Sequence, residues 1–435
     1  MLQQFIDQAQ KRAEQVEVFQ VSSSETPVRF DFNRLKGIDT SEKRLTALRL
    51  IKDGRLGFAT TTNENYEELL DAALTTARFG RAWDLKLPDA AEIPEVSTFD
   101  SDTAEITVEQ LAAMGNKTLA KITKLHPEVL ASVHLTRRES LIQLLNSNGI
   151  SRVYKKTGFN YFASAELTQS QNFLAVYAGF DSAKLDRTQV AAEDQYLTET
   201  FKAGQKNVAL GSGNYTVIFT PQALTDVLRP FLASVNGKAV EKGFSPWKNK
   251  VEQTLLAPQI SLYDDATHPW GPASCPFDGE GIPTSRLPLI EKGVLRNFLL
   301  DLTTAKALNM RPTGNGFRAQ AGELPSPSTS NIILESSETM AIQQLTNVKR
   351  CIIIHSLMGA WAGNPYSGQV SGNIALGFLM EDGQVVGRIK DCMVAINAFV
   401  AFQSQIDGVS TEKEWAYTMH LPFMRFSDVA IAAKK

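Results

Sequence analysis

The sequence predicts an α+β fold in two domains. Segments whose apolar residues recur at helical spacing alternate with groups of short strands, and the N-terminal half runs twice through the order helix, strands, helix. The C-terminal half is rich in hairpin turns and irregular loops instead. Because 435 residues exceed one ordinary core, we expect an α+β N-terminal domain over residues 1–205 and a mainly β C-terminal domain over residues 206–435.

The first N-terminal unit spans residues 1–100. Its opening helix is amphipathic, with one apolar face formed by Leu2, Phe5, Ile6, Ala9, Ala13 and Val16. Strands are expected at 18–21, 28–32, 45–51 and 56–61. The pair Asp53-Gly54 turns the last two strands into a hairpin, and a helix through 66–77 ends at Gly80.

The second unit, residues 105–204, repeats this order, which predicts an internal duplication. Its first helix covers 108–122 and stops before His126-Pro127, and its last helix runs through Tyr196 and Phe201 to end near Gly204. Between them, strands are expected at 130–135, 141–146, 152–157, 161–167 and 173–180. The acidic, proline-bearing stretch 88–102 is interpreted as a surface connection between the units.

The C-terminal domain begins after a polar, glycine-rich stretch at 205–214. A strand at 215–219 leads to Thr220-Pro221, an N-cap followed by a proline at the first helical position, and the helix ends at Asn236-Gly237 with a kink expected at Pro230. Hairpins are predicted for 287–290 with 294–300 and for 374–380 with 384–389, and a short helix for 303–310. The segment 264–318 around the first hairpin is unusually dense in glycine, proline and aspartate turns.

Composition excludes several classes of function. A net charge of −3 and the absence of long basic runs argue against nucleic acid as a partner. No apolar stretch has the length of a membrane span, and the N-terminal segment does not have the pattern of a signal peptide. Three cysteines without a CxxC pair favour a reducing, cytoplasmic compartment.

Few residues qualify as candidates for chemistry. The five histidines show no pair at helical ligand spacing, so we interpret them as surface or core residues. Cys275 lies near His268 in sequence, but a buried structural cysteine is favoured over a nucleophile. The carboxylates of Asp264, Asp265, Asp278 and Glu280 are interpreted as solvated turn residues rather than ligands of a hard cation.

Two long blocks in the C-terminal half resemble a known family. FDGEGIPTSRLPLIEKGVLRNFLLD at 277–301, followed by TGNGFR at 313–318, resembles the signature block of the TldD/PmbA proteins, which also carry the label of modulators of DNA gyrase. GNPYSGQVSGNIALGFLMEDGQVVGRIKD at 363–391 resembles their second block, in the same order. The acidic net charge gives the gyrase label no physical support.

The resemblance implies a metal motif that this sequence lacks. Metal-bearing members carry H-E-x-x-x-H on the helix after the residue equivalent to Thr220, and a cysteine near the C-terminus. Here the three motif positions fall on Leu228, Arg229 and Ala233, none of which can ligate a metal. We therefore expect no metal and no cofactor, and no catalysis by this chain alone.

By resemblance, the chain is similar to the PmbA (TldE) branch. This implies a non-metal subunit that joins a TldD-type metallopeptidase subunit and helps to bind and process unfolded or precursor peptides. The alternatives are a stand-alone homodimeric peptide-binding protein and an enzyme that uses Cys275 or His268. The expected peptide surface is formed by loops in or beside the two blocks, with Phe317 as a further aromatic wall. Its candidate residues are Trp270, Phe277, Asp278, Glu280, Gly281, Thr313, Gly314, Asn315, Gly316, Arg318, Trp361, Asn364, Tyr366, Ser367 and Gly368.

Overall fold

The computed structural model describes residues 2–170 and 172–434, which form two large β-sheets with helices packed against them, as expected for an α+β fold. The helices of the N-terminal half are α1 (Leu2–Ala9), α2 (Tyr66–Ala77), α3 (Ser101–Glu105), α4 (Val108–Ile122) and α5 (Arg187–Gly204). Its strands are β1 (Gln15–Asp31), β2 (Arg34–Ile38), β3 (Ser41–Lys52), β4 (Arg55–Thr61), β5 (Leu130–Asn146), β6 (Ser151–Gln169) and β7 (Asn172–Ser182).

The N-terminal strands form one seven-stranded sheet in the order β4-β3-β1-β5-β6-β7, with β2 paired to β1. Strands β1 and β5 pair antiparallel at its centre, from Glu17 opposite Asn146 to Phe30 opposite Val133. Each predicted unit therefore supplies one strand of this central pair and two strands beyond it, β3 and β4 on one side and β6 and β7 on the other. That arrangement fits a duplication, which stays a prediction.

Several predicted strand boundaries are wrong, because the structure has fewer and longer strands. The segment 18–21 and all but the last residue of 28–32 are parts of β1, 130–135 and 141–146 are parts of β5, and 152–157 and 161–167 are parts of β6. The polar run Ser22–Glu25 stays in β1 because its backbone pairs with β3 on one side and with β5 on the other. Helix α1 is also shorter than predicted, since Ala13 lies beyond its end and Val16 belongs to β1.

The C-terminal half contains the helices α6 (Pro221–Val235), α7 (Gly237–Glu241), α8 (Leu302–Ala307), α9 (Ile342–Thr346) and α10 (Ala398–Val400). Short 3-10 turns occur at Ala360–Ala362 and Pro365–Ser367, and a π-helical turn at Ala401–Gln405. The strands are β8 (Asn207–Val208), β9 (Gly213–Phe219), β10 (Ile260–Asp265), β11 (Arg286–Glu291), β12 (Val294–Leu295), β13 (Gly316–Phe317), β14 (Ser326–Pro327), β15 (Ile332–Ser336), β16 (Arg350–Met358), β17 (Gln369–Glu381), β18 (Gln384–Ile389), β19 (Cys392–Asn397), β20 (Ile406–Ala416) and β21 (Met419–Ala433).

Twelve of these strands form the second sheet, whose main path runs β12-β11-β10-β15-β21-β9-β16-β17-β18-β8. The predicted hairpin of β17 and β18 is confirmed, and Asp382 and Gly383 adopt the positive φ angles that its turn requires. The predicted strand 294–300 is wrong beyond Leu295. Its later backbone turns away to the end of α6, where Leu299 N donates to Val235 O at 2.9 Å and Gly237 N donates to Leu299 O at 2.9 Å.

Helix α5 lies between the two sheets and joins their cores. Leu197 and Phe201 of this helix pack in one apolar cluster with Ile353 of β16 and Phe378 of β17. Residues on both sides of the predicted boundary at 205 thus share a core, and the division into two domains stays a prediction. In the described part of the chain, no helix has the length and apolar character needed to span a membrane.

Candidate functional site

Helix α6 is the element on which metal-bearing relatives would place their ligands. Thr220 Oγ1 accepts from Ala223 N at 3.4 Å, so the N-cap predicted from Thr220-Pro221 is confirmed. Leu228 is buried in the C-terminal core, Arg229 is exposed and Ala233 is half-buried. An aliphatic, a cationic and a methyl side chain supply no donor for a divalent ion, so these residues do not fit the metal of the family motif.

The histidines lie apart from one another, except for His268 and His420, which are close in the structure although they are distant in the sequence. The rings of His268 and His420 are 5.7 Å apart, and Trp415 stacks on His420 at 4.9 Å. Elsewhere Tyr196 shares a hydrogen bond of 2.8 Å with His355 Nδ1. Among residues 2–170 and 172–434, no group of three or more His, Cys, Asp or Glu side chains is placed to hold a metal.

Cys275 is buried, as predicted for a structural cysteine. Burial raises the pKa of its thiol to about 12, which leaves very little thiolate at neutral pH. Its backbone carbonyl accepts from Thr284 Oγ1 and its N–H donates to Ala266 O at 3.0 Å. This environment disfavours the nucleophile hypothesis for Cys275.

The interpretation of four acidic residues as solvated turn carboxylates is wrong. Asp264, Asp265, Asp278 and Glu280 are each 5% exposed or less. The first two lie in β10 of the second sheet, and the loop of the other two folds against the N-terminal sheet, where Arg49 binds Glu280. Asp264 accepts from Ser330 N at 2.6 Å and from Asn315 Nδ2 at 2.7 Å. Burial nevertheless raises the pKa of Asp264 to about 6, against the effect of these hydrogen bonds.

Two carboxylates and two guanidinium groups form a buried ionic network between the first sheet and the signature block. Arg49 on β3 binds Glu17 on β1 at 2.5 Å and Glu280 at 3.2 Å. Arg318 binds the other oxygen of Glu17 at 2.6 Å, and all four side chains are at most 2% exposed. The second oxygen of Glu280 accepts from Leu302 N at 2.8 Å, where α8 begins. The network therefore fastens the loops of the signature block that carry Glu280 and Arg318 to the N-terminal sheet.

Asp278 organises the backbone around this network. Its Oδ1 accepts from Glu280 N and Ile282 N, both at 2.9 Å, and its Oδ2 accepts from Gly316 N at 2.8 Å. Only glycine fits at 316, because a Cβ there would lie 2.5 Å from Glu280 Oε2. The two loops of the signature block are therefore held together from inside.

The structure separates the sequence-predicted peptide contacts into two groups. Trp361, Asn364 and Ser367 are exposed, and Trp270 and Tyr366 are half-buried. Thr313 and Arg318 are half-buried as residues, although the Arg318 side chain is only 2% exposed. Phe317 is likewise half-buried. The remaining candidates are buried, namely Phe277, Asp278, Glu280, Gly281, Gly314, Asn315, Gly316 and Gly368. Peptide contact stays a prediction for both groups, and the polar side chains of the buried group are already engaged internally.

We expect the free energy of unfolding to fall as the pH rises from about 6.5 to about 8.5. Burial raises the pKa of Asp278 to about 7 and that of Glu280 to about 8, from ordinary values of 3.8 and 4.5. The folded state therefore keeps these protons to higher pH than the unfolded state. The stabilisation is complete below the unfolded values and is lost as the pH passes the folded ones.

Urea unfolding at pH 6.5, 7.5 and 8.5 measures this slope. His355 and His420, whose pKa values burial lowers to about 4, add a small opposite slope near pH 6.5, because the unfolded chain releases their protons there. A comparison with a variant at Glu280 cancels this contribution, since both proteins share it. The variant Glu280→Gln should show a shallower decline than the unmodified chain. Equal slopes in the two proteins would contradict the assignment to Glu280.

The comparisons with known proteins agree on one family. Residues 212–433 match the family model described as the PmbA/TldA metallopeptidase C-terminal domain, and residues 16–77 match PmbA/TldA metallopeptidase domain 1. An uncharacterized protein of Methanocaldococcus jannaschii is 24% identical over 93% of this chain and 94% of its own length. A metalloprotease TldD homolog of Haemophilus influenzae is 23% identical over 41% of this chain and 37% of its own.

Solved structures share the whole fold. TldE from Thermococcus kodakarensis superposes with a TM-score of 0.91 at 22% identity, covering 99% of this chain and 100% of the other. A Thermotoga maritima protein named for DNA gyrase modulation superposes with a TM-score of 0.87 at 23% identity, with the same coverage. Since a family model matches half of its residues, the chain belongs to the PmbA/TldD family.

Proposed function

We propose that this chain is the non-metal subunit of a TldD/TldE-type metallopeptidase. It helps to bind and process unfolded or precursor peptides, while a TldD-type partner holds the catalytic ion. One observation carries the proposal. Helix α6 presents Leu228, Arg229 and Ala233 where a metal-bearing subunit would need two imidazoles and a carboxylate.

The similarities support this assignment from two sides. The fold matches a protein named TldE over its whole length, and the sequence is similar to that of a TldD homolog over 41% of this chain. A chain with the complete fold and without the ligands is suited to shape a peptide site that another subunit makes reactive. It binds and orients peptide, and its own residues supply no activated water.

The candidate residues Trp361 and Tyr366 form, together with Met358 and Phe244, the surface beside α6 that we assign to the peptide or the partner. Trp361 is 67% exposed and Met358 is 61% exposed at the end of β16. The ring of Tyr366 lies 6.2 Å from that of Phe244, which is 61% exposed. Exposed aromatic and methionine side chains of this kind are enriched at interfaces.

Reconstitution tests the proposal. The chain and a TldD-type chain from the same source, which carries H-E-x-x-x-H, are purified separately and mixed with an unstructured peptide. We expect little hydrolysis by either chain alone and at least about tenfold faster hydrolysis by the mixture, abolished by a metal chelator. The matched control replaces the motif glutamate of the partner with glutamine and should remove the activity of the mixture.

Two outcomes would overturn the proposal. Chelator-sensitive hydrolysis by this chain alone would show that it holds its own ion. Failure to form a complex, together with a homodimer that binds peptide without cleaving it, would favour the stand-alone binding protein instead. The variant Cys275→Ala, with unchanged activity of the mixture, would dispose of a thiol mechanism.

A further inference from the structure

A cleft of about 780 Å³ lies between the two halves of the chain, and the exposed aromatic side chains beside α6 are not part of its lining. One side is formed by β4 and the end of α2, and the other side by α7, the start of α8 and the loop at 322–326. Ligand sites in proteins commonly measure 300–1,000 Å³ and favour such junctions. None of the residues singled out in the sequence as peptide contacts lines this cleft.

The cleft is preformed, because its loop wall is fastened at several points. Arg318, just before the wall, is tied to Glu17 at 2.6 Å and donates to Glu323 O at 2.8 Å. Leu324 packs against the apolar cluster that contains Trp83. Because this wall is already ordered, little conformational entropy is lost when a ligand binds.

The lining combines an apolar strip with cations from both sides. Leu56 and Phe58 face the cleft from β4, and Leu324 and Pro325 from the loop. Arg81 belongs to the N-terminal side and Lys238 to α7 on the opposite side. Such a strip suits the apolar side chain of an extended peptide.

The two cations are available to a ligand. Neither Arg81 nor Lys238 forms an ion pair with any residue that the structure describes, and Arg81 lies over the Trp83 ring at 5.3 Å. The lining carboxylate of Asp301 is buried and accepts from Thr304 N at 2.7 Å, so it is occupied by the cap of α8. At the edge of this region Asp84 is neutralised by Lys306 at 2.5 Å. Glu323 remains as the one lining carboxylate without such a partner among the described residues.

We infer that this cleft binds a carboxylate-bearing peptide segment. Arg81 and Lys238 hold the carboxylate between them, and the strip of Leu56, Phe58 and Leu324 receives the neighbouring apolar side chain. The carboxylate comes either from the C-terminus of the peptide or from an aspartate or glutamate side chain. The inference rests on the proposed function only in taking a peptide as the ligand.

Fluorescence anisotropy with the full-length chain tests the inference. The probes are one dye-labelled, leucine-containing unstructured hexapeptide as its free acid, the same peptide as its C-terminal amide, and the amide with one internal aspartate. We expect the acid to bind at least about tenfold more tightly than the plain amide. The third probe shows whether an internal carboxylate restores the affinity.

Variants locate the effect. Arg81→Gln with Lys238→Gln should remove the preference for the carboxylate peptides and leave the affinity for the plain amide within about twofold. The matched controls are Arg78→Gln and Lys242→Gln, which alter exposed cations outside the cleft lining and should keep the preference. Thermal unfolding of each variant checks that the fold is intact.

The remaining outcomes are decisive. Equal binding of the acid and both amides, an unchanged preference in the double variant, or no binding of any probe would each overturn the inference. The subunit assignment is judged separately, by reconstitution with the metal-bearing chain. A mixture that cleaves peptide while the double variant keeps its preference would reject the cleft and retain the proposed function.

Discussion

Replacing Arg49 with Met is expected to lower the free energy of unfolding by about 3–5 kcal/mol at pH 8.5. The guanidinium group of Arg49 binds Glu17 at 2.5 Å and Glu280 at 3.2 Å, and all three side chains are nearly inaccessible to water. Met fills a similar volume but leaves the carboxylate of Glu280 without its cation. Glu17 keeps Arg318, so Glu280 carries most of the loss.

The pH dependence distinguishes this mechanism from a simple packing defect. Glu280 has a pKa raised to about 8 by burial even with Arg49 present, so without Arg49 its carboxyl takes up a proton more readily. The protonated acid needs no cation. The deficit of Arg49→Met should therefore be smaller at pH 6.5 than at pH 8.5, whereas a cavity would cost the same at both.

Urea unfolding followed by circular dichroism measures both values. Arg44→Met is the matched control on the same strand, because Arg44 pairs with Glu64 where the two side chains are 46% and 52% exposed. We expect it to cost less than about 1 kcal/mol. If Arg49→Met does not fold, Arg49→Lys replaces it in the measurement. This variant keeps the charge but loses the paired hydrogen bonds, so its loss of unfolding free energy should lie between those expected for Arg44→Met and Arg49→Met. A loss below about 1 kcal/mol for Arg49→Met would contradict a stabilising role for the network.

Local sequence signals predicted the elements whose determinants are local. The N-cap at Thr220, the first-turn Pro221 and the end at Asn236 lie within one helix, and the structure places α6 between them. The two hairpin turns are likewise determined locally, because Asp53-Gly54 and Asp382-Gly383 adopt the positive φ angles that such turns require. The lack of metal-ligating side chains at Leu228, Arg229 and Ala233 of α6 could also be predicted, because it depends only on which residues stand at those positions.

The ionic network could not be predicted from turn composition. Its partners are separated by 231 residues for Arg49 and Glu280 and by 301 residues for Arg318 and Glu17, so no local pattern connects them. One signal was present. Glu17 and Arg49 each stand between apolar neighbours within a strand, and they are direct cross-strand partners of β1 and β3. Opposite charges flanked by apolar residues indicate a buried pair.

The cleft could not be predicted from the sequence for a related reason. Its lining comes from β4, α2, α7, α8 and the loop at 322–326, which are brought together only by the packing of the two halves. Arg81 and Lys238 look like ordinary surface cations in the sequence, since neither stands in a motif or a charged run. A cleft between distant segments is a property of the tertiary structure.

Replacing Asp278 with Ala is expected to lower the free energy of unfolding by about 3 kcal/mol or more, because three buried N–H groups lose their acceptor. Asp278 was predicted from sequence as a peptide contact, yet its two oxygens accept from Glu280 N, Ile282 N and Gly316 N at 2.8–2.9 Å. Asp278→Asn should cost less, since an amide oxygen can serve Oδ1. Its amino group would then face Gly316 N–H, so we still expect a loss of about 1–2 kcal/mol.

Urea unfolding and peptide binding, measured on the same samples, separate the two roles of Asp278. Asp89→Ala is the matched control, because Asp89 pairs with Lys86 at an exposed position and should change stability by less than about 1 kcal/mol. If Asp278 acts by holding the signature loops, the loss of peptide affinity in the Ala and Asn variants should follow their loss of stability. A variant with native stability and no peptide affinity would instead place Asp278 in direct contact with the peptide.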